Sequence, residues 1–141
     1  MNEHDWLQCV IDVRGSLTIC RRRVRAPRGR NFVYETRFVV SDTVRYRLDK
    51  IKRLLRGGQV TKHDSPANKK GYQWLYFGNT KQVRRLFELV SFENTRHQVV
   101  APVVEVFLNT YGANNISDAD YETRERCYQE AKIIHKKSWC E

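Results

Sequence analysis

The sequence predicts an α+β fold in which a four-stranded antiparallel sheet carries helices on one face. Three observations lead to this class. The length of 141 residues fits one ordinary domain. A hydrophobic content of 40% can supply a core, so disorder of the whole chain is not expected. The hydrophobic periodicity gives the order α-β-β-α-β-β-α-α-α, with all four strands within residues 1–78.

A helix and a hairpin are predicted at the start of the chain. The apolar residues of 3–14 fall on one helical stripe, and Gly15 ends the helix. Residues 16–26 alternate between apolar and polar side chains, which predicts a strand with one buried face. Residues 32–40 predict its partner strand, after a turn at Pro27.

A second helix and a second hairpin follow. Residues 43–56 carry an apolar stripe, and Ser41 or Asp42 is a candidate N-cap. The hairpin has strands at 59–63 and 72–77, joined by a turn-rich loop.

The rest of the chain is predicted to be helical. The predicted helices cover residues 80–91, 95–110 and 118–137. Pro102 falls inside the second of them and predicts either a kink or a late start. Ser117 or Asp118 is the expected cap of the third.

The charge is positive and unevenly distributed. The chain has 26 Lys and Arg residues against 16 Asp and Glu, a net charge of +10. Residues 1–78 hold 17 of the basic and 7 of the acidic residues, so they carry the whole surplus. Such a surplus indicates an anionic partner, nucleic acid first and an acidic membrane surface second.

Other classes of protein are not expected. No apolar run approaches the roughly 20 residues of a membrane-spanning helix, and the polar N-terminus resembles neither a signal peptide nor a transit peptide. The four cysteines show no zinc-ligand spacing with the histidines, which predicts reduced thiols and an intracellular protein. The cysteines are Cys9, Cys20, Cys127 and Cys140.

Residues 7–15, LQCVIDVRG, resemble the nine-residue LAGLIDADG helix of homing endonucleases. The similarity continues in order along the chain, through both hairpins to a helix junction that keeps Gln98 and the C-terminal helix. The resemblance implies an αββαββα saddle whose sheets straddle the DNA major groove. It also implies a dimer when, as here, a chain holds one motif. An acid at the eighth motif position would bind the divalent metal that cleaves DNA.

The sequence departs from this family at the positions that carry its chemistry. Arg14 occupies the eighth motif position, and a guanidinium cannot ligate Mg²⁺. The basic residue of the late helix junction is replaced by Thr95, and the frequent Gln of the second strand falls on Val40 or Ser41. These changes together favour a chain that no longer cuts and needs no cofactor. Arg14 at the end of the motif helix would then bind a phosphate directly.

The nucleic-acid contacts are expected on the two hairpins and the end of the motif helix. The domain would thus divide into a motif helix (3–15), a basic groove face (16–40 and 59–77) and a helical support (80–138). The predicted contacts are Arg14, Ser16, Thr18, Arg22, Arg23, Arg25, Arg28, Arg30, Arg37, Gln59, Thr61, His63, Lys69 and Lys70.

Two structural questions stay open at this point. Tyr72, Trp74 and Tyr76 share one face of their strand, either exposed for stacking on unpaired bases or buried against the helices. A homodimer through residues 4–15 is one alternative, although the bulky Gln8 argues against close helix packing. The predicted partner-facing residues of that helix are Trp6, Leu7, Val10 and Ile11.

The function predicted from the sequence is non-catalytic nucleic-acid binding. The chain would be a DNA-binding regulator, or a structured-RNA-binding component of splicing or of a ribonucleoprotein. One alternative is an active, Mg²⁺-dependent homing endonuclease that uses Asp12 or Asp42. Another is a protein-interaction module with an acidic partner. The expected setting is a phage or bacterial cytoplasm, or an organelle (mitochondrion or plastid), without membrane association.

Overall fold

A computed structural model describes residues 2–25, 29–111 and 116–136. Within them, five helices and four strands follow one another in the predicted order. The elements are α1 (Glu3–Arg14), β1 (Gly15–Arg23), β2 (Phe32–Asp42), α2 (Arg45–Leu55), β3 (Gln59–Lys62), β4 (Gln73–Phe77), α3 (Thr80–Leu89), α4 (Thr95–Leu108) and α5 (Asp118–Lys136). The predicted turn at Pro27 lies outside the described residues.

The predicted bounds shift by a few residues at some ends. β1 ends at Arg23 instead of 26, and β2 continues to Asp42. The N-cap of α2 is Val44, which makes no side-chain cap bond, while the Asp42 carboxylate accepts the Val44 N–H at 2.9 Å. Asp42 therefore stabilises the start of the helix from two residues before its cap. α4 contains Pro102 and begins at Thr95 after an N-cap at Asn94, so it does not start late.

The four strands form one antiparallel sheet in the order β1-β2-β4-β3. Leu17 lies opposite Phe38, which in turn lies opposite Phe77, so three core side chains form a row across the sheet. These residues are 0–1% exposed. Because side chains alternate along a strand, this row and its neighbours make one face mainly apolar, with Thr36 and Asp42 as buried polar residues of β2.

The helices pack on this apolar face. They bring buried residues from every helix into the same core, among them Ile11, Leu48, Ile51, Val83, Leu86, Val104, Phe107 and Ala131. The opposite face of the sheet receives no helix from the described residues. An antiparallel sheet with one packed face commonly keeps the other face open to solvent. The fold is thus the α+β arrangement that the sequence predicts.

Gly15 joins α1 directly to β1 without a loop. A Cβ at this position would lie 2.0 Å from the Phe38 ring and 2.5 Å from the Ile11 carbonyl oxygen. No real Cβ tolerates such distances, so only glycine lets the helix end pack against the central strand. This junction fixes the end of α1 beside the first residues of β1.

α5 is fastened to the hairpin of β1 and β2. His135 Nε2 donates a hydrogen bond to the Leu17 carbonyl at 2.9 Å. Burial lowers the pKa of His135 below its ordinary value, and the hydrogen bond to Leu17 opposes that shift. Burial thus disfavours the charged imidazole at this contact between helix and strand.

Other sequence expectations concern thiols and membranes. Cys9, Cys20 and Cys127 are free thiols, and Cys140 lies outside the described residues. Burial raises the pKa of the Cys127 thiol and that of Cys20. Among the described helices, none is long and apolar enough to cross a membrane.

Candidate nucleic-acid interface

The sheet face opposite the helices, here called the open face, carries most of the predicted contacts that lie on strands. Cross-strand partners share a face, so the register defines its rows. One row runs Ser16, Val39, Tyr76, Gln59, and the next runs Ser41, Trp74, Thr61. Toward the far end of β1, Thr18 pairs with Arg37 and Arg22 with Val33. Six predicted contacts therefore occupy one surface: Ser16, Thr18, Arg22, Arg37, Gln59 and Thr61.

Two aromatic side chains of β4 lie on the open face. Trp74 and Tyr76 are half-buried there, whereas Leu75 and Phe77 are 0% and 1% exposed in the core. The side chains of Trp74 and Tyr76 therefore point away from the helices and are not part of the core. His63 packs beside Trp74, with ring centroids 5.3 Å apart. Neither Trp74 nor Tyr76 is among the predicted contacts.

The charges of the open face are sparser than the sequence predicts. The Arg37 guanidinium lies 5.6 Å from the centroid of the Tyr76 ring. Arg22 faces Glu35 at 3.9 Å, so an acidic group shares the surface. The Thr61 hydroxyl is buried without a hydrogen-bond partner, which hides it from a ligand in this arrangement.

The remaining predicted contacts lie beyond the strand rows of the open face, and only His63 among those described packs against one of its aromatic rings. Arg23, Arg25, His63, Lys69 and Lys70 are exposed at the ends of β1 and β3 and in the loop before β4. Arg28 lies outside the described residues. These five exposed side chains are here called the basic rim.

Two arginines of the first hairpin bind α5 instead. Arg30 pairs with Asp118 at 2.7 Å and donates to the Ile116 carbonyl at 3.0 Å. Arg21 contacts Glu125 at 2.6 Å, and its guanidinium lies 4.2 Å from the Phe32 ring centroid. These arginines hold the hairpin against the helix, so the structure does not bring Arg30 together with the predicted contacts of the open face.

Glu125 is the acceptor at the centre of this second contact. Burial alone would raise the pKa of its carboxyl group. The hydrogen bonds from Tyr34 and Gln129, together with the charge of Arg21, outweigh burial and lower that pKa. The Tyr34 hydroxyl, which donates to Glu125, has its own pKa raised by burial and by this carboxylate.

A cluster of one acid and two arginines lies where α1 ends. Asp42 is 4% exposed, and its Oδ2 contacts Nη1 of Arg14 at 3.0 Å and Nη1 of Arg47 at 3.5 Å. The side chains of Arg14 and Arg47 are 48% and 46% exposed. The cluster thus presents two guanidinium groups to solvent above one buried carboxylate, a local charge of +1.

Solved structures share this architecture. I-CvuI in complex with its target matches with a TM-score of 0.73 over 96% of this chain and 83% of that chain, at 12% identity. I-SmaMI bound to uncleaveable DNA matches with a TM-score of 0.75 over 94% of this chain, at 8% identity. The I-LtrWI LAGLIDADG homing endonuclease bound to target DNA gives a TM-score of 0.71 over 92% of this chain, at 10% identity.

The chain has the LAGLIDADG homing-endonuclease fold. It spans 45% of I-SmaMI and 44% of I-LtrWI, so it corresponds to less than half of each of these chains. No protein-family model and no curated protein sequence matches it. The identities of 8–12% establish the fold, and the roles of individual residues rest on the geometry of this chain.

Within the LAGLIDADG fold, the polar residues of α1 hold the segment that begins α4. Asp12 is buried and accepts the N–H groups of Glu93 at 3.0 Å and Asn94 at 2.8 Å. Nδ1 of the buried His97 lies 3.0 Å from the same carboxylate. Asp12 therefore satisfies the backbone before a helix start, which is a structural task.

Gln8 performs a related task one helical turn earlier. Its amide oxygen accepts the Ser91 N–H at 2.8 Å, and its amide nitrogen donates to the Ser91 carbonyl. The side chain is thus turned toward residue 91. Gln8 therefore has a partner within the chain, and homodimerisation stays a prediction.

The predicted partner-facing residues of α1 need a correction. Leu7 and Ile11 are 4% and 0% exposed because they pack into the core of this chain. Trp6 and Val10 are partly buried against the same core. The outward side of α1 carries the exposed Cys9 and Val13, the latter 72% exposed. The helix stripe read from the sequence was the core stripe of the helix.

The donor set at the end of α1 does not fit a divalent metal. Arg14 is the eighth residue of the segment that resembles the motif, and the two nearby carboxylates, Asp12 and Asp42, are bound by backbone, imidazole and guanidinium donors. Within the described residues, no three His, Cys, Asp or Glu side chains cluster as metal ligands. Mg²⁺ requires oxygen ligands, and the site offers it mainly positive charge.

Proposed function

We propose that this chain is a non-catalytic nucleic-acid-binding protein built on the LAGLIDADG scaffold. The observation that carries the proposal is Arg14 at the motif position of the acid, paired with the buried Asp42 at 3.0 Å. The solved structures that share the fold and are bound to DNA support a nucleic-acid partner. The net charge of +10 supports it independently.

The cluster at the end of α1 has the chemistry of a phosphate-binding site. Asp42 contacts one Nη atom of Arg14 and one of Arg47, and within the described part of the chain their other donors meet no acceptor. A guanidinium binds a phosphate through charge-assisted hydrogen bonds and needs no bridging cation. Where an acid would need a metal to approach the phosphodiester, Arg14 approaches it directly.

The same geometry argues against the endonuclease alternative. Asp12 and Asp42 are the two acids that were candidates for a displaced metal ligand. Each is buried, and each is already engaged by three donors. Recruiting either to a cation would break those bonds, which are costly to lose in a buried site.

The proposal covers several biological roles. A DNA-binding regulator, a splicing component and a ribonucleoprotein component would all use the open face and its basic rim. Homodimerisation through the outward side of α1, with Cys9 and Val13, is compatible with each of them. The proposal includes both RNA and DNA as partners.

Gel-shift measurements of binding at increasing salt concentration test the proposal. The probes are a duplex DNA library, a structured RNA library and an acidic polypeptide. We expect nucleic acid to bind and the affinity to fall steeply with salt, by about 0.9 in log K per log salt for each neutralised phosphate of duplex DNA. Preference for the acidic polypeptide over both nucleic acids would refute the proposal in favour of a protein-interaction module.

A further inference from the structure

We propose that the open face binds unpaired bases of a single-stranded nucleic acid, with one base seated in a recess beside Tyr76. The inference rests on the proposed function and specifies its substrate class. It is carried by two features of β4 and its surroundings, the aromatic side chains of the strand and the recess where the strand ends.

Trp74 and Tyr76 form a stacking surface in the middle of the sheet. They alternate on β4, which lies between β2 and β3, and their side chains are about 6.6 Å apart along the strand. Small or short side chains flank Trp74, namely Ser41 on β2 and Thr61 on β3. Tyr76 lies between Val39 on β2 and Gln59 on β3, and both rings are partly exposed, as stacking platforms for single strands are.

The recess exists because β4 is shorter than β2. β4 ends at Phe77 opposite Phe38, so residues 32–37 of β2 have no β4 partner in the described structure. The resulting recess has a volume of about 340 Å³, within the range of ligand pockets. The side chains and glycine that matter for its chemistry are Glu35, Arg37, Gln59, Tyr76, Gly78 and Gln82.

The lining of the recess suits the edge and the plane of a base. Tyr76 offers a ring on which a base can stack, and the exposed Arg37 guanidinium lies 5.6 Å from its centroid. The amides of Gln59 and Gln82 both donate and accept, and the Glu35 carboxylate accepts. Donors and acceptors beside an aromatic plane are what recognition of an unpaired base requires.

A duplex fits the centre of the open face less well. In a duplex the base planes are stacked on each other, and only the base edges reach a protein in the groove. Trp74, Tyr76 and Val39 hold the centre of the face, where their main surface is ring and methyl groups and only the Tyr76 hydroxyl and the Trp74 indole N–H can bond base edges. The exposed Arg23, Lys69 and Lys70 of the basic rim supply positive charge for a nucleic-acid backbone.

The test uses Trp74 as its own reporter. The chain has three tryptophans, so Trp6→Phe and Trp139→Phe together leave Trp74 as the sole emitter. The probes are single-stranded RNA and single-stranded DNA of about 12 nucleotides, and a duplex of the same length. We expect the single strands to quench Trp74 emission and to bind more tightly than the duplex. The RNA and DNA arms show which backbone supplies the bases.

Three substitutions in the otherwise native chain test the surface and the recess separately. Trp74→Leu and Tyr76→Leu should each weaken single-strand binding by roughly 5- to 100-fold. Gly78→Leu should fill the recess and weaken it by at least about fivefold, because a Cβ at Gly78 meets no heavy atom within 4 Å. Tyr46→Leu, at a 70%-exposed tyrosine of α2, is the matched control and should stay within about twofold.

The outcomes separate this inference from the proposed function. Tight duplex binding that is indifferent to Trp74→Leu, Tyr76→Leu and Gly78→Leu would overturn the inference and leave nucleic-acid binding intact. Failure to bind every nucleic acid would overturn both. Gly78→Ala, which adds one methyl group to open space, should unfold at the same denaturant concentration as the native chain and bind single strands as well. Loss of binding in Gly78→Ala as large as in Gly78→Leu would count against a base in the recess.

Discussion

Replacing Asp12 by alanine should destabilise the protein strongly. The Asp12 carboxylate accepts two backbone N–H groups, at 3.0 and 2.8 Å, and lies 3.0 Å from Nδ1 of His97. Removal leaves the amides of Glu93 and Asn94 without their acceptor at the start of α4. The link between α1 and α4 would lose its central contact.

The magnitude follows from these three bonds. A hydrogen bond to a charged group contributes about 1.5–3 kcal/mol, and bonds that share one carboxylate are not additive. The alanine variant also avoids the cost of burying a charge, which offsets part of the loss. We therefore expect Asp12→Ala to lower the free energy of unfolding by about 3 kcal/mol.

Urea denaturation followed by circular dichroism measures this change. Asp5→Ala, at an exposed acid of the same helix, is the matched control and should change stability by less than about 0.5 kcal/mol. If Asp12 were instead a free acid awaiting a metal, its removal would leave stability in the metal-free buffer nearly unchanged. A loss of less than about 1 kcal/mol for Asp12→Ala would thus refute the structural role.

Three other predictions address the helix junction, the acid response and the phosphate contact. Gly15→Ala should destabilise the fold by about 3 kcal/mol or prevent folding, because its Cβ would lie 2.0 Å from the Phe38 ring, as urea denaturation would show. The lowered pKa of His135 means that the unfolded state binds its proton more readily. The contribution of neutral His135 to the free energy of unfolding is complete above the ordinary pKa of 6.5 and is lost as the pH falls below it. The free energy of unfolding of His135→Gln should therefore change less between about pH 7 and pH 5 than that of the native chain. Arg14→Ala should weaken nucleic-acid binding and reduce the slope of log K against log salt by about 1, and an unchanged slope would exclude a phosphate contact.

The element order and the core face of β1 could be predicted because they depend on local periodicity. Leu17 and Ile19 are buried as their alternation indicates. The orientation of β4 could not be predicted in the same way, because both faces of the strand carry large apolar side chains. Trp74 and Tyr76 lie on one face, and Leu75 and Phe77 lie on the other. Packing decided it, because Phe77 lies beside Phe38 and Leu75 beside Val40 in the core, which leaves Trp74 outside.

The polar contacts of α1 and the first hairpin were hidden because their partners are distant in sequence. Gln8 binds Ser91, which lies 83 positions later, and Asp12 binds Glu93, which lies 81 positions later. No local sequence pattern shows such pairs. Arg21 lies on the core side of β1 by alternation, but its pairing with Glu125 depends on where α5 returns. A count of arginines therefore overstated the charge available on the open face.

The central claim is that the chain binds nucleic acid through this scaffold without cutting it. The most direct measurement is strand scission of the sequences that the protein itself selects from random duplex and RNA libraries, at stoichiometric protein with Mg²⁺. We predict that the selected ligands are retained intact, with no nick above the protein-free control. Mg²⁺-dependent nicking or double-strand cleavage that disappears in Asp42→Asn would contradict the claim and identify Asp42 as a metal-binding acid.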